Sequence, residues 1–171
     1  ITDADLEKFL TVEAVAEDGT VLASNGMYCS NLPVVYIDCP DVNAMHADAS
    51  HNTYFDADMR IQGNDQYSKE KQLYDGKIEI KGRGSSTWCF PKKPYKIKLD
   101  KKTSLFGMGK QKHWVLMANY ADESLMRNYT ANNLAQSLGG SAMDSVFVDV
   151  VMNGEYVGNY QLCEQVRVDE N

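Results

Sequence analysis

The sequence predicts an α+β domain: an antiparallel β-sheet with one principal helix packed on it, preceded by a β-rich N-terminal arm. Three observations lead there. Short runs alternate apolar and polar residues, most clearly Lys77-Ile78-Glu79-Ile80-Lys81 and the stretch in which Tyr95, Ile97 and Leu99 share one face. Turn signals separate these runs, the strongest being Asn153-Gly154. One segment, about 123–138, has helical rather than strand spacing.

The elements follow in order. Residues 11–23 read as a hairpin with Glu17-Asp18-Gly19 at its turn. Leu32-Pro33-Val34-Val35-Tyr36-Ile37 is a short apolar strand stopped by Asp38-Cys39-Pro40, and the polar residues 41–53 read as a loop. A strand over 55–61 alternates imperfectly and ends at Gln62-Gly63-Asn64-Asp65; residues 66–76 form a charged connection. The strand over 77–81 feeds a Gly/Ser loop, and a lysine-rich strand over 95–99 returns from it. Leu105-Phe106-Gly107-Met108-Gly109 is a tight connection, and residues 113–120 read as a buried strand. Asp122 is the expected N-cap of the helix and Gly139-Gly140 its stop. Strands over 145–152 and 156–168 close the chain. The expected organisation is an arm over 1–30 and a domain over 31–171.

Composition narrows the class. A chain of 171 residues, 43% hydrophobic and 24% charged, suits one soluble domain with a proper core. Its net charge of −7 argues against nonspecific nucleic-acid binding, and no apolar run approaches a membrane span. The chain starts at Ile1, which points to a processed or trimmed N-terminus. Cys29, Cys39, Cys89 and Cys163 form no CxxC pair, so a zinc site is not expected; disulfides and buried thiols both remain open.

The chemistry concentrates in Lys81-Gly82-Arg83-Gly84-Ser85-Ser86-Thr87-Trp88 and the following Lys92, Lys93, Lys96 and Lys98. Glycines let backbone N–H groups approach a ligand closely, and clustered lysines in an acidic protein suit an anion such as phosphate. The competing reading is a hairpin turn beside a solvated lysine face. The segment is neither a P-loop nor GxGxxG. On the helix, Arg127 falls near the centre of the stripe formed by Ala131, Leu134 and Leu138. There it would meet an anion, or else pass the apolar stripe to reach water.

The run GRGSSTW, the segment KKPYKIKLDKKTSLFGMGKQKHWVLMANYADESLMRNYTANNLA and the closing FVDVVMNGEYVGNYQLCEQVRVDEN together resemble the spore coat protein H (CotH) kinase family. The resemblance is dense from Lys77 to the end and looser over LPVVYID and DADMRIQGN. It implies the N-terminal, nucleotide-lobe part of an atypical protein kinase that transfers phosphate from ATP, with Mg or Mn, to protein serine. In that light Gly82, Arg83, Gly84, Ser85 and Ser86 would form the nucleotide-covering loop. Lys96 or Lys98 would hold the α/β-phosphates, Arg127 would anchor the helix or reach the phosphates, and Glu164 and Gln165 would line the nucleotide's edge. No HRDxxxxN or DFG follows, so the catalytic and metal-binding acids are expected past Asn171 and the fragment alone is expected to be inactive. Asp144, Asp149 and Asp169 fit surface or turn positions better. The implied setting is bacterial: secreted, cell-surface or spore coat rather than cytoplasm.

Two other classes compete. A non-catalytic glycan-binding module would use Tyr54, Tyr67 and Tyr74 as a polysaccharide platform; Trp88 and Trp114 read as core. A structural module would bind a coat or extracellular assembly partner through an edge strand. His46, His51 and His113 are not at ligand spacing and read as structural.

Overall fold

The computed structural model describes residues 3–64 and 72–165. Tyr67, Asp169 and the part of the last strand expected beyond residue 165 lie outside them. Strands β1 (Phe9–Val15) and β2 (Val21–Tyr28) pair antiparallel as a separate two-stranded sheet. Then come β3 (Val34–Asp38), helix α1 (Val42–Ala47), β4 (Phe55–Gln62), β5 (Gln72–Gly82), β6 (Tyr95–Ser104), β7 (Lys110–Met117), helix α2 (Arg127–Ser137), β8 (Ser145–Met152) and β9 (Glu155–Glu164). The last seven strands close into a barrel in the order β3-β4-β5-β6-β7-β9-β8.

This corrects the expected α+β sheet. The protein is mostly β, and the closure depends on a pairing that local pattern does not announce: β3 lies parallel to β8, with Val35 opposite Val150. Every other neighbouring pair is antiparallel. Val34-Val35-Tyr36-Ile37 and Val150-Val151-Met152 are apolar on both faces, as a closing seam covered on each side requires. Closure also removes the open edges that a sheet would present.

Alternation in β5 and β6 sends Ile78, Ile80, Ile97 and Leu99 inward and leaves Glu79, Lys81, Lys96 and Lys98 on the outer wall. With Val35, Ile37, Met59, Ile61, Trp114, Leu116, Val148, Val150, Tyr160 and Leu162 they fill one core. Each such side chain contributes about 1.5–3 kcal/mol of burial. Gly154, at φ 80°, makes the turn expected at Asn153-Gly154, and Asn153 also stitches that turn to β3 through hydrogen bonds with Cys39 N–H (2.7 Å) and Cys39 C=O (2.9 Å).

Two local expectations also change. Residues 41–53 contain α1, whose Met45 is buried against the barrel. The long helix begins later, at Arg127, and buries no residue: Leu134 is 58% and Leu138 79% exposed. The stripe that was to pack on the sheet faces outward. Gly139, at φ 78°, and Gly140 end the helix by returning N–H groups to Gln136 and Ala135. All four cysteines are free, with Cys29, Cys39 and Cys163 buried and Cys89 exposed.

Candidate functional site

The outer wall of β5–β6–β7–β9 is organised in rows set by strand register. One row runs Glu79–Lys98–His113, with Gln165 N–H donating to His113 C=O at 3.2 Å; the next runs Lys81–Lys96–Val115–Cys163. At the lower end Arg83 N–H donates to Pro94 C=O at 3.1 Å, and Met117 lies opposite Gln161. Below this last row, between the 82–94 loop and the start of α2, opens a cleft of about 300 Å³.

Arg83, Lys92 and Arg127 all line it, together with Asn119, Asn128 and Asp122. Phe90 and Tyr120, also in the lining, stack with ring centroids 5.2 Å apart and 30° between planes. Beneath lies a polar chain: Asn128 donates to Asn119 (2.8 Å), Asn119 to buried Gln161 (3.0 Å), and Gln161 to Ser145 (2.8 Å). It satisfies a glutamine that has no access to water. Asn119 and Leu125 are both held at positive φ, 48° and 58°, a conformation costly for residues with a Cβ. Asp122 anchors the turn between them by accepting from Ser124 Oγ (2.7 Å) and Arg127 N–H (2.8 Å). These bonds, the one from Ser124 foremost, hold its carboxyl below the usual range. The N-cap position is Met126 rather than the expected Asp122, which instead reaches the first helical N–H, that of Arg127, from five residues earlier.

The two lysines preceding Pro94 diverge. Lys93 turns to the barrel end, donating to Trp88 C=O (2.7 Å) and Phe90 C=O (3.0 Å) over the Trp88 ring. Lys92 is among the cleft-lining residues, while its ammonium donates to Asn159 C=O and lies 4.6 Å from the Tyr160 ring centroid. Burial lowers its pKa; Asp149 opposes that effect.

Of the residues chosen from sequence, the structure brings Arg83 and Arg127 into one cleft. Lys96 and Lys98 share its wall but do not line it; Lys98 is ion-paired with Glu79 and lies 5.5 Å from the Tyr54 ring. Gly82 and Gly84 have packing duties, since a Cβ on Gly82 would sit 2.7 Å from the Trp88 ring and one on Gly84 2.1 Å from Thr87 Oγ1. Ser85 and Ser86 are exposed in the same loop. Glu164, in register with Trp114, accepts from Gln111 at 3.3 Å, and Gln165 bonds His113 higher on the wall; both lie outside the cleft lining. Asn119, Tyr120 and Asn128 were not singled out, and Lys92 was read only as one member of the lysine cluster. Gly158, alone within a strand, was the available signal of a close approach: its Cβ would come within 3.1 Å of Lys92 Cε.

The histidines take structural places. His46 bonds Tyr95 Oη at 2.9 Å and meets Trp88 edge-on, and His51 Nδ1 lies 3.0 Å from Gly84 C=O. Asp149 is buried among Ser30, Tyr156 and Asn159 rather than at the surface. Tyr54 lies under Lys81 and Lys98, and Tyr74 donates to Lys77 C=O at 2.9 Å, so neither forms an open stacking platform. Among the described residues, no three His, Cys, Asp or Glu side chains gather to hold a metal, and no helix is long and apolar enough to cross a membrane.

Residues 78–171 match the family model described as "CotH kinase protein". No curated protein matches the chain.

Proposed function

The chain belongs to the CotH kinase protein family, and from that premise we propose that it carries the nucleotide-binding part of an ATP-dependent protein serine kinase. The observation that supports this reading is the convergence of cationic side chains from separate loops on one cleft, in a protein whose net charge is −7. Arg83 leaves the end of β5, and Arg127, whose Nε lies 3.6 Å from Asp122 Oδ1, opens α2; both line a space suited to phosphates. The Phe90–Tyr120 pair offers an aromatic surface to a base. Phosphoryl transfer is mostly positioning and charge neutralisation, which is what such a cleft can supply.

Mg²⁺ or Mn²⁺ would enter bound to the nucleotide. The carboxylate lining the cleft, Asp122, is already committed to Ser124 and the α2 backbone, so it does not fit a metal-ligand role. Lys96 and Lys98 lie on the wall above the cleft, within the same electrostatic field.

Calorimetric titration of ATP with Mg²⁺ tests the reading. Arg83→Ala and Arg127→Ala should each weaken binding about tenfold. Equal affinity in all three proteins would remove the cleft from consideration.

One observation favours a second reading. The β1–β2 sheet exposes Phe9, Val12, Val15, Val21 and Leu22, an apolar surface suited to a protein contact in an extracellular or coat assembly. The two readings can coexist, since β1–β2 and the cleft share no lining residue.

A further inference from the structure

Gln161 is fully buried on the outer side of its strand. Its neighbours Tyr160 and Leu162 belong to the barrel core, so alternation sends Gln161 outward, yet it has no exposure. An apolar side chain would be covered there as readily, whereas an amide must also find partners. Gln161 finds them on two separate elements. Its Nε2 donates to Ser145 Oγ (2.8 Å) at the start of β8, and its Oε1 accepts from Asn119 Nδ2 (3.0 Å) just past β7.

Asn119 passes that constraint on. The same Nδ2 lies 3.4 Å from Leu125 C=O, and Asn119 Oδ1 accepts from Asn128 Nδ2 at 2.8 Å. One side chain therefore joins both ends of the 119–125 turn to the first turn of α2. The turn needs such a clamp, because Asn119 and Leu125 sit at φ 48° and 58°, where a leucine is strained. Packing does not supply it, since α2 buries no residue. Asp122 binds the Arg127 N–H but belongs to the turn itself, so it ties the helix to the turn. The Asn119–Gln161 bond ties the turn to a barrel strand.

We propose that Gln161 is a positioning residue of the cleft: through Asn119 it holds the strained turn against the barrel and so fixes the wall on which Tyr120 and Arg127 face the 82–94 loop. That this wall meets a nucleotide rests on the cleft being the nucleotide site. Gln161 lies outside the cleft lining and acts only through its neighbours. Strained backbone persists where its surroundings over-determine it, and amides linked in a chain polarise one another, so losing one member is felt by the rest.

Two variants break the chain at different points. Gln161→Met nearly keeps the volume and removes the amide; Asn119→Gly removes the amide and adopts the positive φ without strain. In calorimetric titration of ATP with Mg²⁺ into the whole chain, each should weaken binding about fivefold, and the double variant should stay within about twofold of either single one. Hydrogen exchange without nucleotide gives the second readout. The amides of Arg127 and Thr130, bonded to Asp122 and to Met126 C=O, should exchange about tenfold faster in both variants. Those of Ile80 and Ile97, inside the barrel, should exchange as in wild type, which separates a displaced wall from a loosened fold. Wild-type affinity in both single variants, or losses that multiply in the double variant, would overturn the assignment while leaving the cleft as a nucleotide site. Failure of wild type to bind ATP would overturn the cleft reading; accelerated exchange at Arg127 and Thr130 would then still sustain the positioning, and unchanged exchange would overturn it too.

Discussion

The barrel interior and helix α2 follow opposite rules. Inside the barrel, Ile78, Ile80, Ile97 and Leu99 are buried where strand alternation places them, and their neighbours Glu79, Lys96 and Lys98 face out. On α2, Leu134 and Leu138 fall on a stripe and are exposed. The helix is held instead by polar and ring contacts: Asp122 at its start, Asn128 to Asn119, and Tyr129 against Phe147 at 5.3 Å. A closed barrel supplies a partner for every inward side chain, whereas a helix acquires its buried face only from what covers it. Stability should therefore reside in the barrel, and α2 should serve to place Arg127 at the cleft.

The sharpest way to break this contrast is to cut into the barrel. Trp114→Ala, at a residue with no exposure, should cost about 3–5 kcal/mol in urea denaturation. Gly82→Ala should follow at about 1–3 kcal/mol, because its Cβ would press within 2.7 Å of the Trp88 ring.

A smaller effect comes from His46 at the barrel end. Burial first, then the charge of Lys93, lowers its pKa below the ordinary 6.5. The unfolded chain takes that proton more readily, so this contribution is complete above about pH 6.5 and declines as pH falls. His46→Gln should flatten the acid limb of stability, read as urea midpoints at neutral and mildly acidic pH. An unchanged limb would remove His46 as its source.

The smallest effect is expected on the helix. Leu134→Ala with Leu138→Ala should change stability by less than about 0.5 kcal/mol. A loss comparable to that of Trp114→Ala would erase the distinction between the two regions.

The same physics explains what the sequence made legible. Strand periodicity reports burial directly when both walls of a strand have fixed partners, and β3, β4 and β8 were placed close to their bounds, whereas β5 starts five residues before, and β6 ends five residues after, the stretch that alternates strictly. The closure was not legible, because the parallel β3–β8 pairing joins segments more than a hundred residues apart and leaves no local mark. At the cleft, Arg83 and Arg127 were found through the glycine loop and the helix start. Lys92 was read with the lysine cluster but given no separate role, because strand alternation drew attention to Lys96 and Lys98, while Pro94 sets Lys92 outside that strand. Asn119 and Asn128 escaped because a polar chain under a cleft exists only once β7, β9 and α2 are brought together.

The most direct test of the central claim is a heteronuclear NMR titration of the chain with ATP and Mg²⁺, following backbone amides. The account predicts that shifts concentrate at Arg83, Phe90, Lys92, Asn119, Tyr120 and Arg127, around the cleft. Shifts confined to Glu79, Lys98, His113 and Gln165 on the upper wall, with the cleft amides unmoved, would contradict it.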